Sequence, residues 1–471
     1  MLNDSLQTSP AKNNRQHYTT LIAGVFILAV FVILAYWGGL PPTDKIPLFA
    51  LGIAVLIIVC GGISVLGWVL LFRPVAFPVA HRSVLTGLQR QVIGVALIVT
   101  TGLEMVGGTW DEAWHTRYGI PFGKDFFWRP HLLIYSSLLC VIVAASVSYI
   151  ALVRRGKGNW VQRFRADPAL GMVIFTGLFL AFSIPADPIW HSIYGEDISA
   201  FSIPHVLLTM MFVFALVAGS ALVTPPNVVR KWQSVLRLRI QDTLPLFVLA
   251  LLLQTPVTLL TAEWYSLQPA NLVSRTAIAF QLPDWLPIVF VIFLATWIAV
   301  AANRQLRYFG VGTVLGVLSV LFRFAVTIPV NSPFTPQSSF WLLLIPPMII
   351  VDVVYFIRVK RDQACPWWLV GPLASIGLVV MLPLANRLLL YPQVALGNLL
   401  GMIVFPTLAA TMGAWIGTLT GDYLAAQNVT PKPVTTEAAP YRRWIVPGMA
   451  VAAVLFVLWF IATATPPVLS S

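Results

Sequence analysis

Charged residues are scarce in this chain, at 10% of 471 positions against 58% hydrophobic ones. A soluble domain carries about a quarter charged residues, so a soluble globule is excluded, in keeping with a mean hydropathy of +0.84. Cysteine is almost missing. Cys60, Cys140 and Cys365 are the three present; they show no metal-ligand spacing, and two fall in apolar runs, which excludes a disulfide framework and a thiolate cluster. There is no His-x-x-His or His-x-x-x-His pair, so the histidine boxes of membrane di-iron desaturases and hydroxylases are absent. No glycine-rich phosphate loop follows a strand and no nucleophile elbow occurs. Haem held between two mid-span histidines would need histidines deeper in the apolar runs than these.

Apolar runs of spanning length are abundant. A helix needs ~20 apolar residues to cross a bilayer, because lipid offers no partner for unsatisfied backbone groups. About thirteen such runs occur, at 19–38, 47–72, 84–107, 131–153, 168–186, 204–224, 243–262, 285–302, 308–328, 340–357, 368–386, 394–417 and 444–463. The predicted fold is therefore all-α, a polytopic transmembrane helical bundle, with the lipid bilayer as its first partner. Residues 1–18 are polar, include Lys12, Arg15 and His17, and lead into a run without a small-residue cleavage pattern, which predicts a cytoplasmic N-terminal tail.

The net charge of +12 points to membrane sidedness rather than to nucleic acid. Alternating the spans from a cytoplasmic N-terminus leaves only Lys45, Arg117, Lys124, Arg129, Arg275, Arg323 and Arg387 outside, of 29 Lys and Arg in all. Such asymmetry is what the positive-inside rule predicts for a multi-pass protein, here of the cell (inner) membrane. The chain then divides into the tail 1–18, a six-span half 19–242, an apolar six-span half 243–424, a Pro- and Thr-containing cytoplasmic linker 425–443, and a last span with an outer tail, 444–471. The basic and apolar residues of 228–240 alternate, as in an ordinary positive-inside loop or an amphipathic surface segment. Glu263, Arg323 and Asp352 are ionisable groups in or near spans of the second half; pairing or a headgroup position would account for them.

Two segments repeat one order of residues: Asp, Trp-His, Tyr-Gly, Asp, Pro-His. The first is Asp111, Trp114-His115, Tyr118-Gly119, Asp125, Pro130-His131; the second is Asp187, Trp190-His191, Tyr194-Gly195, Asp197, Pro204-His205. Four of the six histidines lie in them. Both segments join an outgoing span to a returning one, on the non-cytoplasmic side.

An Asp and a His with three residues between them stand one turn apart on a helix and can address one ion. A second His, returned by the loop to the first turn of the next helix, completes a one-carboxylate, two-imidazole set. Such sets suit zinc, copper or iron. Asp111, His115 and His131 form one candidate metal set, and Asp187, His191 and His205 the other. Glu104, Asp111 and His115 fall within a stripe about 40° wide on an ideal helix, so Glu104 could orient a ligand, relay a proton or be a ligand itself; with Glu112 it is the candidate catalytic carboxylate of the first copy. Gly107-Gly108 between them predicts a bend, and Pro185 and Pro188 predict an interruption of the fifth span. A purely structural reading is also open: Asp187-Pro188 as a helix N-cap, Pro130-His131 and Pro204-His205 as helix starts, and Trp110, Trp114, Trp128 and Trp190 as an interfacial belt.

The second segment, with Asp187, Trp190-His191, Asp197, Phe201 and Pro204-His205, resembles the metal motif of the C subunit of particulate methane and ammonia monooxygenases. The resemblance covers 187–205 and, by internal repetition, 111–131. It implies copper on Asp187, His191 and His205, near the outer face, and a parallel set on Asp111, His115 and His131. The expected function is an integral membrane metalloprotein with monooxygenase-like oxidation of a small, unidentified substrate, alone or with other membrane subunits. Two alternatives from other classes remain: a proton- or metal-coupled transporter, and a structural subunit of a membrane complex.

Overall fold

A computed structural model describes residues 44, 46–67, 84–118, 127–194, 203–223, 230–266, 286–327, 340–388, 400–426 and 442–465. The first predicted span, 19–38, and nearly all of the linker, at 427–441, lie outside the described residues, as do the side chains of several helical residues named below.

The described chain is helical almost throughout. Its helices are α1 (Ile46–Gly67), α2 (Gly87–Tyr118), α3 (Arg129–Arg155), the short α4 (Trp160–Ala166), α5 (Pro168–Tyr194), α6 (Ile203–Val223), α7 (Ile240–Ser266), α8 (Leu286–Leu306), α9 (Val311–Thr327), α10 (Ile345–Lys360), α11 (Trp367–Leu388), α12 (Phe405–Ala426) and α13 (Arg442–Ala462). Six stretches among the described residues are long and apolar enough to cross a membrane: 87–111, 129–155, 168–187, 288–306, 342–360 and 401–422. All-α and membrane-spanning are the classes this defines.

Helices α2, α3, α5 and α6 form a closed ring, in which α2 and α5 each pack against both α3 and α6. Exchanging the α2–α3 hairpin with the α5–α6 hairpin reproduces the same neighbours, so the repeat in the sequence is also a repeat in packing. Small residues allow the close approach. At Gly107 a Cβ would sit 2.8 Å from Ile134 Cγ1 and 3.3 Å from the Pro130 carbonyl oxygen, so the missing side chain lets α2 lie tightly on the start of α3.

One end of the ring is tied by polar contacts. The Arg90 guanidinium pairs with Asp167, which caps α5 ahead of Pro168 by accepting from the Leu170 amide at 3.4 Å. Arg155 Nη1 donates to Gln89 Oε1 at 3.0 Å. The starts of α2 and α5 and the end of α3 therefore share this end, and both Asp/His segments lie at the other.

The second half is centred on α8, which packs on α7, α9, α10 and α12. Gly413, Gly417 and Gly421 follow one another at four-residue spacing along α12; a Cβ at Gly417 would lie 2.5 Å from the Trp297 carbonyl oxygen. Such a stripe lets backbones touch where lipid provides no hydrophobic drive for helix association. Trp297 Nε1 donates to Thr420 Oγ1 at 3.0 Å, and Arg304 clamps Asp422 through two contacts of 2.7 Å. Helix α13 packs on α2, and α1 on α5.

Several expectations change. Helix α2 runs without a break through Gly107-Gly108, and α5 through Pro185 and Pro188, so Asp187 is inside a helix and not an N-cap. Gln233–Ser234 (β1) pairs in parallel with Tyr308–Phe309 (β2), and Arg230 holds Asp242 at 2.8 Å. Asp352 is a helix anchor: it accepts from Asn303 Nδ2 at 2.8 Å and from the Gly312 and Thr313 amides at 3.1 and 2.7 Å, at the positive end of α9. Glu263 lies on α7, with its side chain outside the described residues.

Candidate metal-binding site

In both copies the aspartate, Asp111 in α2 and Asp187 in α5, lies inside a helix that continues to Tyr118 or Tyr194. The returning helix begins at Arg129 or Ile203, with proline as its second residue and histidine as its third. Proline suits that place because the first-turn amide has no partner to lose. The histidine is thereby held in the first turn, opposite the aspartate of the preceding helix.

The two pairs meet. His131 Nε2 lies 2.9 Å from Asp111 Oδ1, and His205 Nε2 lies 3.6 Å from Asp187 Oδ1. Two ligand atoms about 2.0–2.1 Å from one tetrahedral ion stand roughly 3.3 Å apart. The observed separations bracket that value, so either pair can close on an ion with a movement of a few tenths of an ångström. The copies differ in access. Side-chain exposure is 17% for His131 and 21% for Asp111, against 36% for His205 and 26% for Asp187, which makes the second pair the more open.

His115 and His191 each lie one turn beyond the aspartate on an unbroken helix. Their side chains, and that of Glu112, lie outside the described residues. Among the described residues no three potential ligands cluster.

Glu104 stands two turns from Asp111 on the same stripe of α2, roughly 10 Å along the axis. Its Oε2 is buried and accepts no hydrogen bond among the described residues. The unbroken helix keeps this carboxylate in line with the Asp111–His131 pair, as the spacing predicts.

The aromatic residues of the first segment form a buried cluster and not an interfacial belt. Trp110, Trp114 and Trp128 are 2%, 7% and 9% exposed. Trp114 meets Trp110 and Trp128 edge-on at 5.3 and 5.6 Å, and Phe460 of α13 closes over Trp110 at 6.2 Å. Arg129 lies over the Phe460 ring at 4.8 Å. His131 is stacked on Trp128 at 6.5 Å and tilted against Tyr135, one turn further along α3, at 6.0 Å. The imidazole is thus walled by aromatic rings. Arg323, buried in α9, donates to Thr109 Oγ1 at 2.9 Å and joins the second half to the α2 end of this site. The spacing of Tyr135 from His131 is legible in the sequence; Trp128, Phe460 and Arg323 reach the site through the fold.

No protein-family model matches the chain, and no curated protein or solved structure matches it.

Proposed function

We propose that this chain is an integral membrane metalloprotein whose repeated Asp/His/His sets bind copper at the outer membrane face. Asp187, His191 and His205 form the more open set; Asp111, His115 and His131 form the one walled by tryptophan. The observation that carries this reading is the duplication of geometry: each aspartate lies seven residues before the end of its helix and 2.9 or 3.6 Å from the third residue of the returning helix. A capping role needs neither the repeat nor this spacing. The motif's resemblance to the C subunit of particulate methane and ammonia monooxygenases favours copper over zinc or iron. Held there, copper supplies redox chemistry toward dioxygen and a small apolar or nitrogenous substrate. The chain's own part is to fix the imidazoles, exclude water with Trp110, Trp114 and Trp128, and place the buried Glu104 and the neighbouring Glu112 where a proton could be held.

The reading includes a topology of about thirteen spans with the N-terminus in the cytoplasm and both sets facing away from it, in a cell membrane. The gathering of Arg90, Arg155 and Arg304 at polar-tied helix ends, with Arg230 paired to Asp242 at the start of α7, supports that orientation. Electron paramagnetic resonance of copper(II)-loaded protein tests the ligand assignment. Nitrogen superhyperfine structure that weakens in His205→Ala supports it; a signal unchanged in His205→Ala and His131→Ala overturns it.

A second reading rests on Glu104. A buried carboxylate in line with an Asp/His pair is also what a proton- or metal-coupled transporter would use. Proton uptake by reconstituted vesicles under an imposed copper or zinc gradient, abolished in Glu104→Gln, would favour transport over oxidation.

A further inference from the structure

A groove of about 400 Å³ runs between the start of α2 and the end of α3, remote from the Asp/His pairs. Leu88, Val92, Val147 and Ile150 line its walls, and Arg154 and Arg155 close one end. Val92, Val147 and Ile150 are 36%, 49% and 49% exposed, so the groove opens to the outside of the helix ring. In a chain that crosses a bilayer, that outside is lipid.

The level of the membrane boundary is marked beside it. Tyr149 and Trp160, both exposed, stack at 6.0 Å with their planes 8° apart, and such amphipathic rings settle at headgroup depth. The span containing the groove's α3 wall ends at Arg155. The apolar part of the groove thus lies in the hydrocarbon, and the two guanidinium groups at the headgroups. Arg155 is held in place by its contact with Gln89 at 3.0 Å. Arg154 is exposed and has no hydrogen-bond or ion-pair partner among the described residues, and Lys157, two residues past the end of α3, is exposed. Among the described residues, no acidic residue lines the groove.

We propose that this groove is a binding site for one anionic phospholipid, with an acyl chain between α2 and α3 and the phosphate on Arg154 and Arg155. Two features converge on that occupant. An apolar channel open to the bilayer fits a chain, and a cationic rim without a competing carboxylate fits a headgroup phosphate. Arginine offers the phosphate a two-pronged donor, which a choline headgroup's own cation would disfavour. A protein partner in the bilayer would want the small-residue contact seen on α12, whereas here bulky aliphatic side chains leave a furrow.

Purified full-length protein, stripped of lipid in detergent, can be titrated with phosphatidylglycerol or phosphatidylcholine and followed by native mass spectrometry. The expected result is one saturable phosphatidylglycerol site, weakened about thirtyfold in R154Q/R155Q, taking about 1 kcal/mol for each basic group at the surface. Phosphatidylcholine should bind wild type and this variant alike. Val147→Trp, which fills the groove from its lipid side and leaves both arginines, should also lose the site. Equal binding of the two lipids by wild type would overturn the proposal, as would unchanged phosphatidylglycerol binding in R154Q/R155Q. Retention of glycerol phosphate without acyl chains at the same strength would also overturn it, since the groove would then play no part. Unchanged thermal unfolding of the two variants shows that each reports on lipid and not on folding.

Discussion

Asp187 and His205 stand 3.6 Å apart where Asp111 and His131, at the equivalent places of the first hairpin, stand at 2.9 Å. The longer separation exceeds hydrogen-bonding distance, and the pair that shows it is the more exposed. An ion at the second pair should therefore exchange faster. Stripping of copper-loaded protein by a chelator is expected to be biphasic, with His205→Ala removing the fast phase and His131→Ala the slow one. A single phase lost in either variant would mean one shared site.

Gly107 sets the distance between α2 and α3 at the first pair. A leucine there meets Ile134 and the Pro130 carbonyl and should force the hairpin apart. Overpacking of this kind costs about 1–3 kcal/mol. Gly107→Leu is expected to lower the unfolding temperature in detergent and to remove the slow chelation phase while sparing the fast one; Gly107→Ala should do less, because its nearest neighbour is a side-chain atom that can turn aside.

Along α12 the neighbours are backbone and cannot move. Gly417→Leu drives a side chain into the Trp297 carbonyl, and disruption of the α8–α12 contact is expected to cost at least the ~1–3 kcal/mol typical of overpacking. Loss of folded yield, read by size-exclusion chromatography, checks it. A variant as stable as wild type would show that α8 and α12 are held by other contacts.

Tyr308, between α8 and α9, is buried and donates its hydroxyl to Asp242 Oδ2 at 2.8 Å. Burial, and then the bond to that carboxylate, push its pKa above the ordinary tyrosine value of about 10. Because the folded state holds the proton more tightly, this contribution is complete below about pH 10 and is lost as pH rises through the folded-state value. The stability advantage of wild type over Tyr308→Phe is expected to be constant from neutrality to about pH 9 and to shrink above pH 10. An advantage that grows with alkalinity would reverse the assignment.

Much of the fold was legible in the chain because lipid imposes one rule on every span. The predicted runs at 131–153, 204–224 and 308–328 correspond to α3, α6 and α9 to within a few residues. The overruns are informative: α2 and α5 pass the predicted ends at 107 and 186 to reach Tyr118 and Tyr194, since polar residues outside lipid can still be helical. The meeting of each Asp with the His of the next helix was legible in the repeat. The exchange of hairpins around a four-helix ring was not, nor was the bond from Arg323 to Thr109, 214 residues away, because such contacts are set by tertiary packing that no local spacing encodes. Gly107 reads as a bend by propensity and acts as a contact, since the surrounding helices supply what a glycine lacks.

The most direct test of the account is the copper content of full-length protein after loading and exhaustive washing, compared with Asp187→Asn/His205→Ala and Asp111→Asn/His131→Ala. Wild type is expected to retain copper, each variant to lose the share bound by its own hairpin, and the two combined to retain none. Wild type that retains no copper, or variants that retain as much as wild type, would contradict it.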